Sequence, residues 1–181
     1  MLRVIAGKYK GRKLFAPVGE HTKPTKDMVK EALYSSLGSL YGKRMLDLFC
    51  GSGSIGIEAL SRGAEGVSFV DNSIEAINSV RKNLSTLNEI QNVYNMDAFE
   101  YLKTDDGLFD LVFIDPPYHF EKIDELFSQL KTSGKLAKNA IIVYEAGSDE
   151  NITDFAYGFK LVKEKKYGIT KLFYLMEETE K

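Results

Sequence analysis

"LDLFCGSGSIGIEAL", residues 46–60, decides the fold. An apolar run leads into the glycines and a helix-forming stretch leads out, the strand–loop–helix order of a ligand-cradling loop. Within it, residues 51–56 spell G-x-G-x-x-G. Three glycines at that spacing arise in many loops, so the fingerprint names no ligand and its neighbours must.

Around this loop, apolar runs alternate with helical segments. "RMLDLF" (44–49) is the buried strand before it, and a helix follows near 54–62. "GVSFVD" (66–71) is the next strand, with Asn72 and Glu75 forming a capping box for a helix over 73–88. "NVYNMD" (92–97) is the third, followed by a short helix through Phe99 and Leu102. "FDLVFIDPPY" (109–118) carries the fourth, a helix lies near 121–132, and "AIIVYEA" (140–146) is the fifth. Strands this apolar, separated by helices, predict a parallel sheet covered on both faces. The tail "FKLVKEKKYGITKLFYLM" predicts two antiparallel strands about Tyr167-Gly168. The expected class is α/β: a doubly wound, mostly parallel seven-stranded sheet closed by a C-terminal antiparallel hairpin.

Upstream, "RVIAG" (3–7) and "RKLFA" (12–16) predict a small β-hairpin. "TKPTKDMVKEALYSSLG" predicts a helix capped by Thr25 and stopped by Gly38. Its apolar stripe is Met28, Val29, Ala32, Leu33 and Leu37. The expected organisation is a basic extension at 1–40 and a ligand-binding catalytic domain at 41–181. Residues 1–31 hold eight basic side chains against three acidic ones, a charge of +5, while the whole chain carries −2 and the remainder therefore −7. Such segregation predicts a basic lobe that meets a polyanion.

A chain of 181 residues is long enough for one domain with a real core. Its single cysteine, Cys50, excludes an internal disulfide, and His21 and His119 lie too far apart for metal-ligand spacing, so no metal is expected. Cys50 beside the loop is explained by a small residue in a tight turn. No apolar stretch approaches the ~20 residues that cross a bilayer, and the start has no secretory h-region. A soluble cytoplasmic protein with no membrane partner is expected.

Two acids and one tetrapeptide carry the chemistry. Asp71 ends its strand 20 residues after Gly51, where a carboxylate accepts from ribose hydroxyls. That suits NAD and S-adenosylmethionine equally. Asp47 lies inside the strand before the loop, unhelpful to a pyrophosphate but suited to an ammonium, such as the amino-acid end of S-adenosylmethionine. "DPPY" (115–118) follows the fourth strand. Its prolines stiffen the backbone and donate no N–H. The Asp115 carboxylate and the Pro116 carbonyl are then available to accept both protons of an exocyclic NH2. Tyr118 offers a face on which a flipped-out base stacks.

The sequence resembles the class I S-adenosylmethionine-dependent methyltransferases that act on amino groups, and within them the RsmD family of 16S ribosomal RNA guanine-N2-methyltransferases. "RVIAGKYKGRKL", "TKPTKDMVKEALYSSL", "LDLFCGSGSIGIEALSRGA", "FVDNS", "DPPY" and "YGITKLFYL" carry the resemblance over nearly the whole chain. It implies S-adenosylmethionine as cofactor and S-adenosylhomocysteine as product. Gly51 and Gly53 would hold the methionyl end beside Asp47 and Phe49, and Asp71 the ribose. Asn72, Asp97 and Ala98 would meet the adenine. Asp115, Pro116, Pro117 and Tyr118 would hold the target guanine. Lys10, Arg12, Lys13, Thr22, Lys23 and Thr25 would face RNA, in an assembling or assembled small subunit, with the enzyme a monomer. The chain departs from the family pattern at Lys23, Met28 and Lys30, where arginine is common. Arg→Lys keeps a phosphate contact but loses bidentate geometry.

The alternatives are another amino methyltransferase, acting on DNA adenine N6, cytosine N4 or a protein glutamine, and a nicotinamide oxidoreductase. The short N-terminal extension leaves little room for a DNA-recognition region. Asp47 and "DPPY" argue against the oxidoreductase.

Overall fold

The structure, a computed structural model, describes residues 1–18, 24–153 and 156–178. Seven strands form one sheet. In chain order they are β1 (Arg44–Leu48), β2 (Gly66–Asp71), β3 (Asn92–Asn95), β4 (Phe109–Ile114), β5 (Leu136–Gly147), β6 (Lys160–Tyr167) and β7 (Thr170–Met176). Across the sheet the order is β3-β2-β1-β4-β5-β7-β6. The pairs from β3 through β5 are parallel, whereas β7 runs antiparallel to both β5 and β6. The strand order reverses between β1 and β4, and ligands of open α/β sheets bind outside the carboxyl ends at such a switch point.

Side-chain alternation divides the core in two. Met45, Val67, Phe69, Leu111, Phe113, Val143 and Tyr174 face helices α1 (Pro24–Leu37), α2 (Ser54–Ser61) and α3 (Ile74–Thr86). Leu46, Leu48, Val112, Ile114, Ile142 and Phe173 face α4 (Ala98–Leu102) and α5 (Ile123–Thr132). The strands are apolar on both sides because both sides are covered. In α2, Ile57 and Leu60 are almost wholly buried, each worth roughly 1.5–3 kcal/mol relative to exposure.

The N-terminal segment does not stand apart as an arm. Leu2, Val4 and Leu14 join the core under α1–α3. The expected hairpin is a single antiparallel bridge, Arg3 to Lys13, with Val4 N–H donating to the Arg12 carbonyl. Its backbone is held by the body: Lys8 N–H donates to the Ser61 carbonyl, and Phe15 N–H to Asn83 Oδ1 at 2.7 Å.

Several local expectations are corrected. The cap of α3 is Ser73, whose Oγ accepts from Ala76 N–H, in place of Asn72. Glu75 Oε2 accepts from that same hydroxyl. Helix α1 begins at Pro24, so Thr25 lies inside it and is not its cap; proline suits a first turn, where its missing N–H has no helical partner to lose. Met28 is exposed and leaves the apolar stripe. Lys30 is buried, 2% exposed, because Glu58, the Arg3 carbonyl and Ser54 Oγ surround its ammonium. It ties α1 to α2 and is not a surface contact for RNA. The expectations for Thr22 and Lys23, and for the side chain of Thr25, lie outside the described residues.

Candidate active site

The glycine loop turns sharply between β1 and α2. Phe49 adopts a left-handed φ of 62° and Gly53 one of 79°. A Cβ on Gly53 would meet Val80 and Phe69 at 3.0 and 3.2 Å, and one on Gly56 would meet Phe69 at 2.4 Å. The last glycine therefore lets α2 lie directly on β2, and the middle one permits the turn.

Two predicted acids hold this loop. Asp71 accepts from Gly51 N–H through one oxygen and from Ser73 N–H through the other, both at 2.9 Å. Asp47, 1% exposed, accepts from Gly56 N–H at 3.0 Å. A carboxylate has about four acceptor positions, so Asp71, with the Gly51 and Ser73 N–H groups on separate oxygens, can also accept from a ligand. Asn83, fully buried, donates to the Ser52 and Phe15 carbonyls and links the N-terminal segment to the loop.

A cavity of about 300 Å³ opens beside the loop. Asp47, Phe49, Gly51, Asp115 and Glu145 line it from the sheet side, and Lys26, Val29 and Lys30 from α1. The sheet explains this convergence. Asp47 on β1 is level with Phe113 on β4, which is level with Val143 on β5. Two residues further, on the same face, come Asp115 and Glu145. Burial pushes the Glu145 carboxyl up to about 7, against the opposing pull of the Lys26 ammonium. Among the described residues, no group of three or more acidic, histidine or cysteine side chains is placed to hold a metal ion.

The remaining predicted residues lie outside the lining of this cavity. Asp97 caps α4, accepting from Phe99 N–H at 2.8 Å, with Ala98 buried behind it and Asn72 exposed near the end of β2. Phe49 meets Phe120 edge-on at 5.4 Å, and Phe120 stacks on Phe99 at 6.4 Å, forming an aromatic wall between the loop and the segment after β4. A turn closes that segment, Phe120 N–H donating to the Pro117 carbonyl. Pro116 is half-buried, Pro117 is exposed, and Tyr118 is 89% exposed, with its ring 4.2 Å from that of His119. Sequence reasoning missed Glu145, Lys26, Asn83 and the partners Phe99 and Phe120. "YHF" and "DAF" offered aromatic signals, but their meeting depends on the fold.

Lys10, Arg12 and Lys13 are exposed, with Lys13 opposite Arg3 in the antiparallel bridge. Arg12 donates to the Thr86 carbonyl at the end of α3, and Lys8 pairs with Glu89 at 2.8 Å.

The switch-point cavity, the acid-braced glycine loop and the D-P-P-Y after β4 define a class I S-adenosylmethionine-dependent methyltransferase. Residues 2–176 match the family described as "Conserved hypothetical protein 95". "Putative rRNA methyltransferase YlbH" of Bacillus subtilis is 39% identical over 93% of this chain and 95% of its own. "Ribosomal RNA small subunit methyltransferase D" of Haemophilus influenzae is 38% identical over 93% and 90%. The solved "Putative methyltransferase yhhF from Escherichia coli" superposes with a TM-score of 0.88, at 30% identity over 99% of each chain. The chain belongs to this family, the RsmD family of ribosomal RNA small subunit methyltransferases.

Proposed function

We propose that the protein methylates the exocyclic N2 of one guanine in 16S ribosomal RNA, acting as a monomer on a small-subunit particle in the cytoplasm. The observation that carries the reading is the common cavity of the glycine loop, Asp47 and Asp115. When bound, S-adenosylmethionine supplies an electrophilic methyl group. Gly51, Gly53, Asp47 and Phe49 hold its methionyl end, and Asp71 accepts from the ribose. Asn72, Asp97 and Ala98 border the adenine, with Phe99 and Phe120 beside them. Asp115 and the Pro116 carbonyl accept the two N2 protons, which draws the nitrogen lone pair out of conjugation and aims it at the cavity. Pro117 keeps that carbonyl in place, and Tyr118 stacks on the displaced base. Asp115, hydrogen-bonded to the reacting nitrogen, is the group positioned to receive the proton it loses. Positioning and polarisation supply the catalysis.

Mapping methylated guanines in small-subunit RNA from a strain lacking the protein tests this reading. One N2-methylguanine is expected to disappear and to return when the gene is restored; an unchanged set of N2-methylguanines refutes it.

Residues 1–40 supply the RNA-facing extension. Lys10, Arg12 and Lys13 hold phosphates and so add affinity without choosing the base. Replacing Lys10 and Lys13 together by alanine is expected to flatten the log–log salt dependence of RNA binding by about two contacts' worth. Calorimetric affinity for S-adenosylhomocysteine should stay the same. A salt slope equal to that of the wild type would remove these lysines from the interface.

A further inference from the structure

The cavity holds one carboxylate that neither braces the loop nor belongs to D-P-P-Y. Glu145 lies at the carboxyl end of β5, one strand over from Asp115 and on the same face of the sheet. The Lys26 ammonium acts on it electrostatically, while Asp47, in the same cavity, accepts from Gly56 N–H. The charged side chains that share the cavity with it are Asp47 on β1, Asp115 just after β4, and Lys26 and Lys30 on α1; from β7 the neutral Thr170 lines it too. An acceptor in this position stands beside whatever amine Asp115 holds.

Among bases with an exocyclic amine, the ring nitrogen next to that amine differs in one respect. In guanine, N1 carries a proton and donates. In adenine N1 and in cytosine N3, the corresponding nitrogen is a bare acceptor. A carboxylate beside the amine site attracts the first and repels the other two. We propose that Glu145 is the specificity residue, accepting the N1–H of the target guanine while Asp115 and the Pro116 carbonyl hold its N2 amine. The proposal rests on guanine-N2 methylation as the reaction. It accounts for why an amine-holding D-P-P-Y acts here on guanine. The Lys26 ammonium favours the charged carboxylate, in opposition to the larger effect of burial. The raised pKa of Glu145 adds an acid limb: below pH about 7 the group takes up a proton and its readiness to accept N1–H is lost.

The test uses the full chain and a small-subunit RNA substrate with guanine, 1-methylguanine or 2-aminopurine at the target position. 2-Aminopurine keeps the N2 amine but presents N1 as an acceptor. Wild-type kcat/KM is expected to fall by about 100-fold or more on both analogues, the scale of leaving a buried polar group mispaired. Glu145→Gln, whose amide can rotate to donate, is expected to gain on 2-aminopurine while losing on guanine. The ratio between those substrates should come within a few-fold of one, and the acid limb near pH 7 should vanish. A gain of activity cannot come from misfolding, and calorimetry with S-adenosylhomocysteine checks the cofactor site. Full wild-type activity on 1-methylguanine, or an unchanged guanine-to-2-aminopurine ratio in Glu145→Gln, overturns the proposal. Failure of the wild type to methylate the guanine substrate at all would instead overturn the functional reading beneath it.

Discussion

Asp115→Ala is expected to reduce kcat by on the order of 10³-fold, the scale of removing one preorganised group from a charge-developing centre. Affinity for S-adenosylhomocysteine should remain within a few-fold of wild type. The separation follows from which groups hold what. The glycine loop is braced by Asp71 on Gly51, by Asp47 on Gly56, and by Cys50 N–H donating to the Val70 carbonyl. None of these bonds uses Asp115. What the substitution removes is an acceptor at the reacting amine, leaving the nitrogen lone pair delocalised into the base. Asp115→Asn keeps one acceptor oxygen but loses the charge and the proton acceptor, so an intermediate loss of about 10- to 100-fold is expected. Single-turnover methylation and calorimetry on the same preparations check both halves. Turnover of Asp115→Ala near the wild-type rate would show that the amine is held elsewhere.

Much of this site was legible because its parts are local. Asp47, the glycines, Asp71 and D-P-P-Y each sit within a few residues of a strand end, and a parallel sheet brings its strand ends together. The sheet itself was legible because strands covered on both faces are apolar throughout. Glu145 was not, since a lone acid in "AIIVYEA" looks like the end of a strand. Its importance arises from the β4–β5 register, which sets it beside Asp115. Lys30 failed for the opposite reason. Counting charges treats every lysine as solvated, so exposed Lys10 and buried Lys30 look alike until α1 and α2 pack. Asn72 and Ser73 are adjacent and both cap helices well, so composition alone could not choose the one whose oxygen faces Ala76.

Glu58→Ala is expected to cost about 3–5 kcal/mol of folding stability, the loss typical of stripping one partner from a buried ion pair. Glu58, in α2, is fully buried and collects four donors. Ile5 N–H and Ala6 N–H donate to it at 2.9 and 3.0 Å, Arg62 Nε at 2.9 Å, and Lys30 Nζ lies 3.6 Å away. Alanine would orphan two backbone donors and leave the Lys30 ammonium without its counter-ion. Burial already lowers the Lys30 pKa, and the Glu58 charge opposes that fall. Without Glu58 the pKa drops further, so the unfolded chain binds more protons than the folded one over a wider range below the usual lysine value. Stability rises with pH wherever that holds. The deficit of the variant should therefore be largest below the lowered pKa and should shrink as pH climbs towards 10. Urea unfolding at several pH values measures this, and hydrogen exchange at Ile5 and Ala6 should accelerate in parallel. With a domain stability of roughly 5–15 kcal/mol, the change removes a large share of what keeps the basic N-terminal segment seated on the catalytic body. A deficit below about 1 kcal/mol, or one that does not vary with pH, would show that Glu58 is not what holds that segment.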